Sequence, residues 1–185
     1  MECVACSHYH FPPSVLPEID GDDIGELILS SLYPFSQVQL FLRYRTGDLL
    51  RRHEICSLYD DYGYSFVGRI KDSVSGVAND GRQAWLSPLA VAEVLDAIDL
   101  GCNAVPADMQ DLLVAGAPGR RIFALCATGD EVVVRVAKRQ NDDRDLAFVE
   151  ALIRARNFEL TGCDIAAALR VELVDADFIR HPAIY

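Results

Sequence analysis

Apolar and polar positions change rhythm once along this chain, near Gly68. Before that point short runs follow one another as strands do. Gly25-Glu26-Leu27-Ile28-Leu29 reads as a strand, entered from a turn at Asp20-Gly21-Asp22-Asp23. Residues 38–44 and 48–51 read as two more strands, separated by a tight Arg45-Thr46-Gly47 corner, and 64–67 as a fourth. Pro12-Pro13 and Pro17 keep the entry extended, because proline excludes helix at its own position and disfavours it just before. This half predicts a small antiparallel sheet or half-barrel.

After Gly68 helical spacing appears. Ser87-Pro88 opens a helix whose broad apolar face is Leu89, Val91, Ala92, Val94, Leu95 and Ile98, and Gly101 ends it. Residues 121–127 and 131–137 are strands joined by a hairpin turn at Thr128-Gly129-Asp130. Asp142-Asp143 is expected to cap a second helix, running to about Arg156 with Leu146, Val149, Leu152 and Ile153 inward. Asp164 is expected to cap a third, and 169–174 to form a closing strand. The expected class is α+β, with a small antiparallel β subdomain over residues 1–68 and an α+β domain over 69–185.

Composition narrows the picture. With 51% of 185 residues hydrophobic the chain can bury a core, which excludes a disordered class. No run approaches the ~18–20 uninterrupted apolar residues of a membrane span. The net charge of −11, from 28 acidic and 17 basic side chains, repels phosphate backbones and anionic lipid, so neither nucleic acid nor membrane is an expected partner. Met1-Glu2-Cys3 offers no basic or apolar leader, so a cytoplasmic location is expected. Cys102, Cys126 and Cys163 stand singly among apolar or small residues, as buried reduced thiols do.

Three ordered segments carry most of the functional information. They are Gly25-Glu26-Leu27-Ile28-Leu29-Ser30-Ser31-Leu32, then Leu42-Arg43-Tyr44-Arg45-Thr46-Gly47-Asp48, then Val67-Gly68-Arg69-Ile70-Lys71-Asp72. Together they resemble the adenylate-forming (acyl/aryl-CoA synthetase) ligase superfamily, and within it the phenylacetate–coenzyme A ligase branch. The likeness runs well over about residues 2 to 100 and more loosely beyond. It implies an AMP-forming acid–thiol ligase, which condenses an aryl or acyl carboxylate with ATP, assisted by magnesium, and passes the acyl group to coenzyme A or a carrier arm. It also implies that Asp48 accepts hydrogen bonds from the ribose hydroxyls, a task suited to a carboxylate. Arg69 then lies near the ribose or α-phosphate, where a fork of donors suits an anion. Lys71 takes the hinge position from which a mobile C-terminal lid swings. Alone, Arg45-Thr46-Gly47-Asp48 is an ordinary turn.

Departures from that pattern bear on activity. Twelve glycines are present, but none forms a Gly/Ser/Thr-rich phosphate loop. Glu2 stands at the last trace of the motif whose acid holds magnesium. Of only two lysines, Lys71 and Lys138, neither lies in the terminal Arg180-His181-Pro182-Ala183-Ile184-Tyr185, where the family's catalytic lysine is expected. Leu40 replaces a usual proline, and the loop 71–81 is slightly long. The expectation is therefore a C-terminal portion from a truncated gene or a longer protein. Residues 1–68 are the remnant of the adenylation domain and 69–185 the lid, with no catalytic residue of its own, no activity alone, and a missing N-terminal half as partner. The alternative is a non-catalytic binding module, descended from such a ligase, that docks on a partner.

Cys3-x-x-Cys6-x-His8-x-His10 packs four soft or borderline ligands together. A structural zinc ion takes four such ligands at Cys-x2-4-Cys spacing. Cys3, Cys6, one of His8 or His10, taken as His8, and Cys56 are the candidate set; incidental thiols and imidazoles are the alternative. A zinc-stabilised structural domain is a third reading of the chain. His53, after Arg51-Arg52, is expected on an exposed turn, and Trp85 as a core anchor beneath the following helix.

Overall fold

The computed structural model describes residues 2–32, 42–104, 120–128, 130–139, 144–175 and 178–179. The chain divides into two compact units, Met1–Lys71 and Asp72–Tyr185. The class is α+β, and no helix among the described residues is long and apolar enough to cross a membrane.

The first unit is an antiparallel meander of β1 (Val15–Asp20), β2 (Ile24–Ser31), β3 (Tyr44–Cys56) and β4 (Asp61–Arg69), ordered in the sheet as in the chain. Pro17 lies on β1, an edge strand that tolerates a missing donor. The expected corner at Arg45-Thr46-Gly47 is instead a bulge inside β3. Pairing with β2 jumps from Ile28↔Arg45 to Glu26↔Leu49, leaving Thr46, Gly47 and Asp48 opposite Leu27 alone. Gly47 takes φ +75°, which a side chain would resist. Thr46 Oγ1 donates to the Leu27 carbonyl at 3.0 Å and accepts from the Asp48 amide at 3.1 Å, so the bulge is tied down locally. Most of the strand expected over 38–44, Leu40 included, lies outside the described residues.

Among the described residues, the first unit's apolar cluster is small. Leu27, Leu50 and Tyr64 are buried together, with Phe11, Ile19 and Leu29 half-buried against them.

The second unit begins with a hairpin, β5 (Val74–Val77) and β6 (Gln83–Leu86), followed by α1 (Pro88–Ala97). Ser87 caps α1 as expected, its side chain accepting from the Leu89 and Ala90 amides. Two short strands, β7 (Asn103–Ala104) and β8 (Arg120–Arg121), pair with each other. Then come β9 (Phe123–Thr128), β10 (Glu131–Ala137), α2 (Leu146–Thr161) and β11 (Ala168–Val174). The expected hairpin forms between β9 and β10, whereas β11 runs parallel to β10. A parallel neighbour needs a crossover, and α2 lies on it. One core gathers Val91 and Leu95 of α1, Val132, Val134 and Val136 of β10, and Val149 and Ile153 of α2.

Several expectations need correction here. Asp145, not Asp142-Asp143, caps α2; the latter pair lies outside the described residues. The helix also runs past Arg156, because Val149, Ile153, Asn157 and Thr161 continue one buried stripe until Gly162, in the left-handed region, closes it. Asp164 caps no helix. Its carboxylate pairs with Arg154 Nη1 at 2.9 Å, and Arg154 also donates to the Ile165 and Ala167 carbonyls. Cys102, Cys126 and Cys163 are half-buried, not buried. Trp85 is likewise half-buried; Leu86 beside it is the enclosed residue.

Candidate functional site

The first residues fold back on themselves. The Cys3 amide donates to the His8 carbonyl and the Ser7 amide to the Cys3 carbonyl, both at 2.8 Å, with Ser7 at φ +58°. Tyr9 then exchanges two backbone hydrogen bonds with Tyr64 of β4, fixing the loop to the sheet. On the other side Cys56 ends β3. Its carbonyl accepts from the Tyr59 and Asp60 amides in the turn that leads to β4.

These contacts bring four ligand atoms together. The Sγ atoms of Cys3, Cys6 and Cys56 and a ring nitrogen of His10 all lie within 4.8 Å of one another. Cys3 Sγ is 3.8 Å from Cys56 Sγ, and Cys6 Sγ is 3.2 Å from His10 Nε2. Cys3, His10 and Cys56 are buried and Cys6 is half-buried. The His10 ring stacks on Tyr59, with centroids 4.4 Å apart. Burial raises the Cys3 thiol pKa, but the Ala5 and Cys6 amides and the neighbouring thiols outweigh it, so the net direction is down. For Cys6 burial prevails, with Cys56 and Cys3 adding to it, and its pKa is raised.

Of the expected zinc set, Cys3, Cys6 and Cys56 converge, but the fourth partner is His10 and not His8. His8 stacks instead on His53, ring centroids 3.6 Å apart and 12° from parallel. Gly63 makes room for it: a Cβ there would stand 2.8 Å from the His8 Cβ. Sequence spacing did not distinguish the two histidines. The choice is made by the Tyr9–Tyr64 pairing and by His53, which sits mid-strand in β3 and not on an exposed turn. His53 Nε2 lies 2.8 Å from Ser65 Oγ, and burial, helped by the charges of His8 and Arg51, lowers its pKa to about 4.

Asp48 and Arg69 are direct cross-strand partners. Arg69 Nε stands 2.8 Å from Asp48 Oδ1, and the Asp48 side chain keeps 24% of its exposure, so solvent reaches it. Arg69 ends β4; the 3-10 turn Ile70–Asp72 follows, and exposed Lys71 within it is the last residue of the first unit. Arg45, one position before the bulge, pairs with Asp20 and Glu26 and so fastens the bulged stretch to β1 and β2. Lys138 follows β10 and pairs with Asp175 at 3.0 Å. Residues 180–185 lie outside the described set.

No protein-family model and no curated protein sequence matches the chain. Solved structures do. Coronafacic acid ligase from Pectobacterium brasiliense is 17% identical, with a TM-score of 0.40, 76% of this chain covered and 25% of that one. A structure from work on fatty acyl-adenylate ligases of E. coli and L. pneumophila is 18% identical, with a TM-score of 0.37 and coverages of 87% and 27%. The anthranilate CoA ligase AuaEII, solved with anthranoyl-AMP, is 16% identical, with a TM-score of 0.40 and coverages of 88% and 30%. The chain thus spans between a quarter and a third of the length of each.

Proposed function

We propose that this chain is the C-terminal part of an AMP-forming acid–thiol ligase of the aryl- or acyl-CoA type. In this reading Asp48 accepts hydrogen bonds from the ribose hydroxyls of adenosine, Arg69 stands beside the ribose and α-phosphate, and Lys71 is the hinge. Residues 1–68 are the end of the adenylation domain and 69–185 its lid.

The observation that carries the reading is the placement of the motif residues. Asp48 and Arg69, far apart in sequence, face each other across adjacent strands, and Lys71 follows within the turn that ends the first unit. Asp48 also lies in the bulge that interrupts the pairing of β3 with β2. With Oδ1 engaged by the guanidinium, Oδ2 is the oxygen assigned to the vicinal hydroxyls, where a charge-assisted hydrogen bond is strongest.

The acid, ATP with magnesium and the thiol acceptor, coenzyme A or a carrier arm, are assigned to the complete enzyme. A phosphate cradle and the adenylating lysine come from outside this sequence, so the chain alone does not turn over.

A titration of the isotope-labelled chain with AMP, followed by amide chemical shifts, tests the reading. Perturbations are expected to centre on residues 47–49 and 68–71. Saturating AMP that leaves those amides unmoved contradicts it.

A further inference from the structure

We infer that Cys3, Cys6, His10 and Cys56 form a closed, structural zinc site that staples the first ten residues to the β3–β4 turn. The inference stands apart from the ligase reading, because it uses none of Asp48, Arg69 or Lys71.

The four ligand atoms lie close enough together for one ion to reach them all. With Zn–S of about 2.3 Å and Zn–N of about 2.0–2.1 Å, tetrahedral angles require S···S edges of about 3.8 Å and S···N edges of about 3.6 Å. The Cys3–Cys56 edge is 3.8 Å, the Cys6–His10 edge 3.2 Å, and none exceeds 4.8 Å. A disulfide is a poorer account of the same pair, since it needs sulfurs about 2.05 Å apart. All six cysteines are free.

Ligand chemistry selects the metal. Three thiols and an imidazole suit a borderline-soft ion with tetrahedral preference, which is zinc. Binding releases three protons, one from each thiol, and leaves the dication with three thiolates and a neutral imidazole, at net charge −1. The Ala5 amide, 3.3 Å from Cys3 Sγ, offers a donor to one of those thiolates. Four protein ligands leave no open position for water or substrate, so the site is structural and not catalytic.

The first unit also has a physical need for such a staple. Among the described residues its buried apolar cluster is Leu27, Leu50 and Tyr64, with Ile28, Leu49 and Val67 buried outside it, a smaller core than the second unit's. Domains of about 70–80 residues with so little core are commonly held by metals or disulfides. Joining Cys3 to Cys56 closes a loop of 53 positions, which removes much freedom from the unfolded chain.

Elemental analysis of protein expressed with zinc and purified without chelator is the first test, and one equivalent per chain is expected. Cys6→Ser and Cys56→Ser should each lose the metal. His10→Ala should weaken zinc at least about tenfold in competition with a chromophoric chelator, while His8→Ala holds it as the parent does. Cysteine variants can fail to fold, so cobalt(II) reconstitution of the unaltered chain supplies a second readout: intense visible bands of tetrahedral cobalt with sulfur-to-cobalt charge transfer. Less than a tenth of an equivalent of zinc, a pale six-coordinate cobalt spectrum, or metal lost with His8→Ala but kept with His10→Ala overturns the site. AMP binding at Asp48 is read separately, so either proposal can fail alone.

Discussion

His8 lies face to face on His53, ring centroids 3.6 Å apart, and the half-buried His53 ring bonds Ser65 Oγ through Nε2. Burial first, and then the charges of His8 and Arg51, push the His53 pKa down to about 4 from its ordinary 6.5. Between those values the unfolded chain holds a proton that the folded chain does not. Stability should therefore fall as pH drops from about 6.5 towards 4, and His53 should contribute no slope above that window. NMR titration of the His53 ring protons checks this directly; a midpoint near 6.5 contradicts it.

The Asp48–Arg69 pair should matter little to stability. Arg69 is half exposed, and pairs of that kind contribute about 0–1 kcal/mol. Urea unfolding of Arg69→Met should shift by no more than about that amount, with an unchanged m-value. A loss of several kcal/mol would make the pair a structural element and weaken its assignment to nucleotide.

Asn157 is a different case. It is 2% exposed, its Oδ1 accepts the Ser87 amide at 2.8 Å, and its Nδ2 donates to the Trp85 carbonyl at 2.9 Å. Asn157→Ala removes both hydrogen bonds beside the cap of α1. At about 1–3 kcal/mol for each of the two groups, the expected loss is about 2–6 kcal/mol in urea unfolding. A change below about 0.5 kcal/mol contradicts this account of the α2 stripe.

Gly63→Ala should destabilise the first unit by about 1–3 kcal/mol, because the added methyl meets the His8 Cβ at 2.8 Å and forces the stacked ring aside. Thermal unfolding measures the cost, and the same substitution should raise the His53 midpoint as its ring becomes more exposed.

Much of the fold was legible in periodicity. The hairpin of β9 and β10, the Ser87 cap and the strand around Ile28 depend on local patterns, and each was read near its place. What escaped depends on pairing partners distant in sequence. Arg45-Thr46-Gly47 looks like a corner because glycine marks both bulges and turns, and only the register with Glu26 and Ile28 tells them apart. The end of α2 was missed because Asn157 and Thr161 are polar by type yet buried through specific hydrogen bonds. At the cysteine cluster three ligands followed from composition and spacing. His10 did not, since His8 and His10 are equivalent until Tyr9 pairs with Tyr64.

Calorimetric titration of the chain with AMP and with its 2′,3′-dideoxy analogue puts the central claim to the sharpest test. The account predicts that AMP binds at least about tenfold tighter than the analogue, about 1.4 kcal/mol, and that Asp48→Ala removes the difference. Equal binding of the two nucleotides by the unaltered chain, or a preference that survives Asp48→Ala, would contradict it.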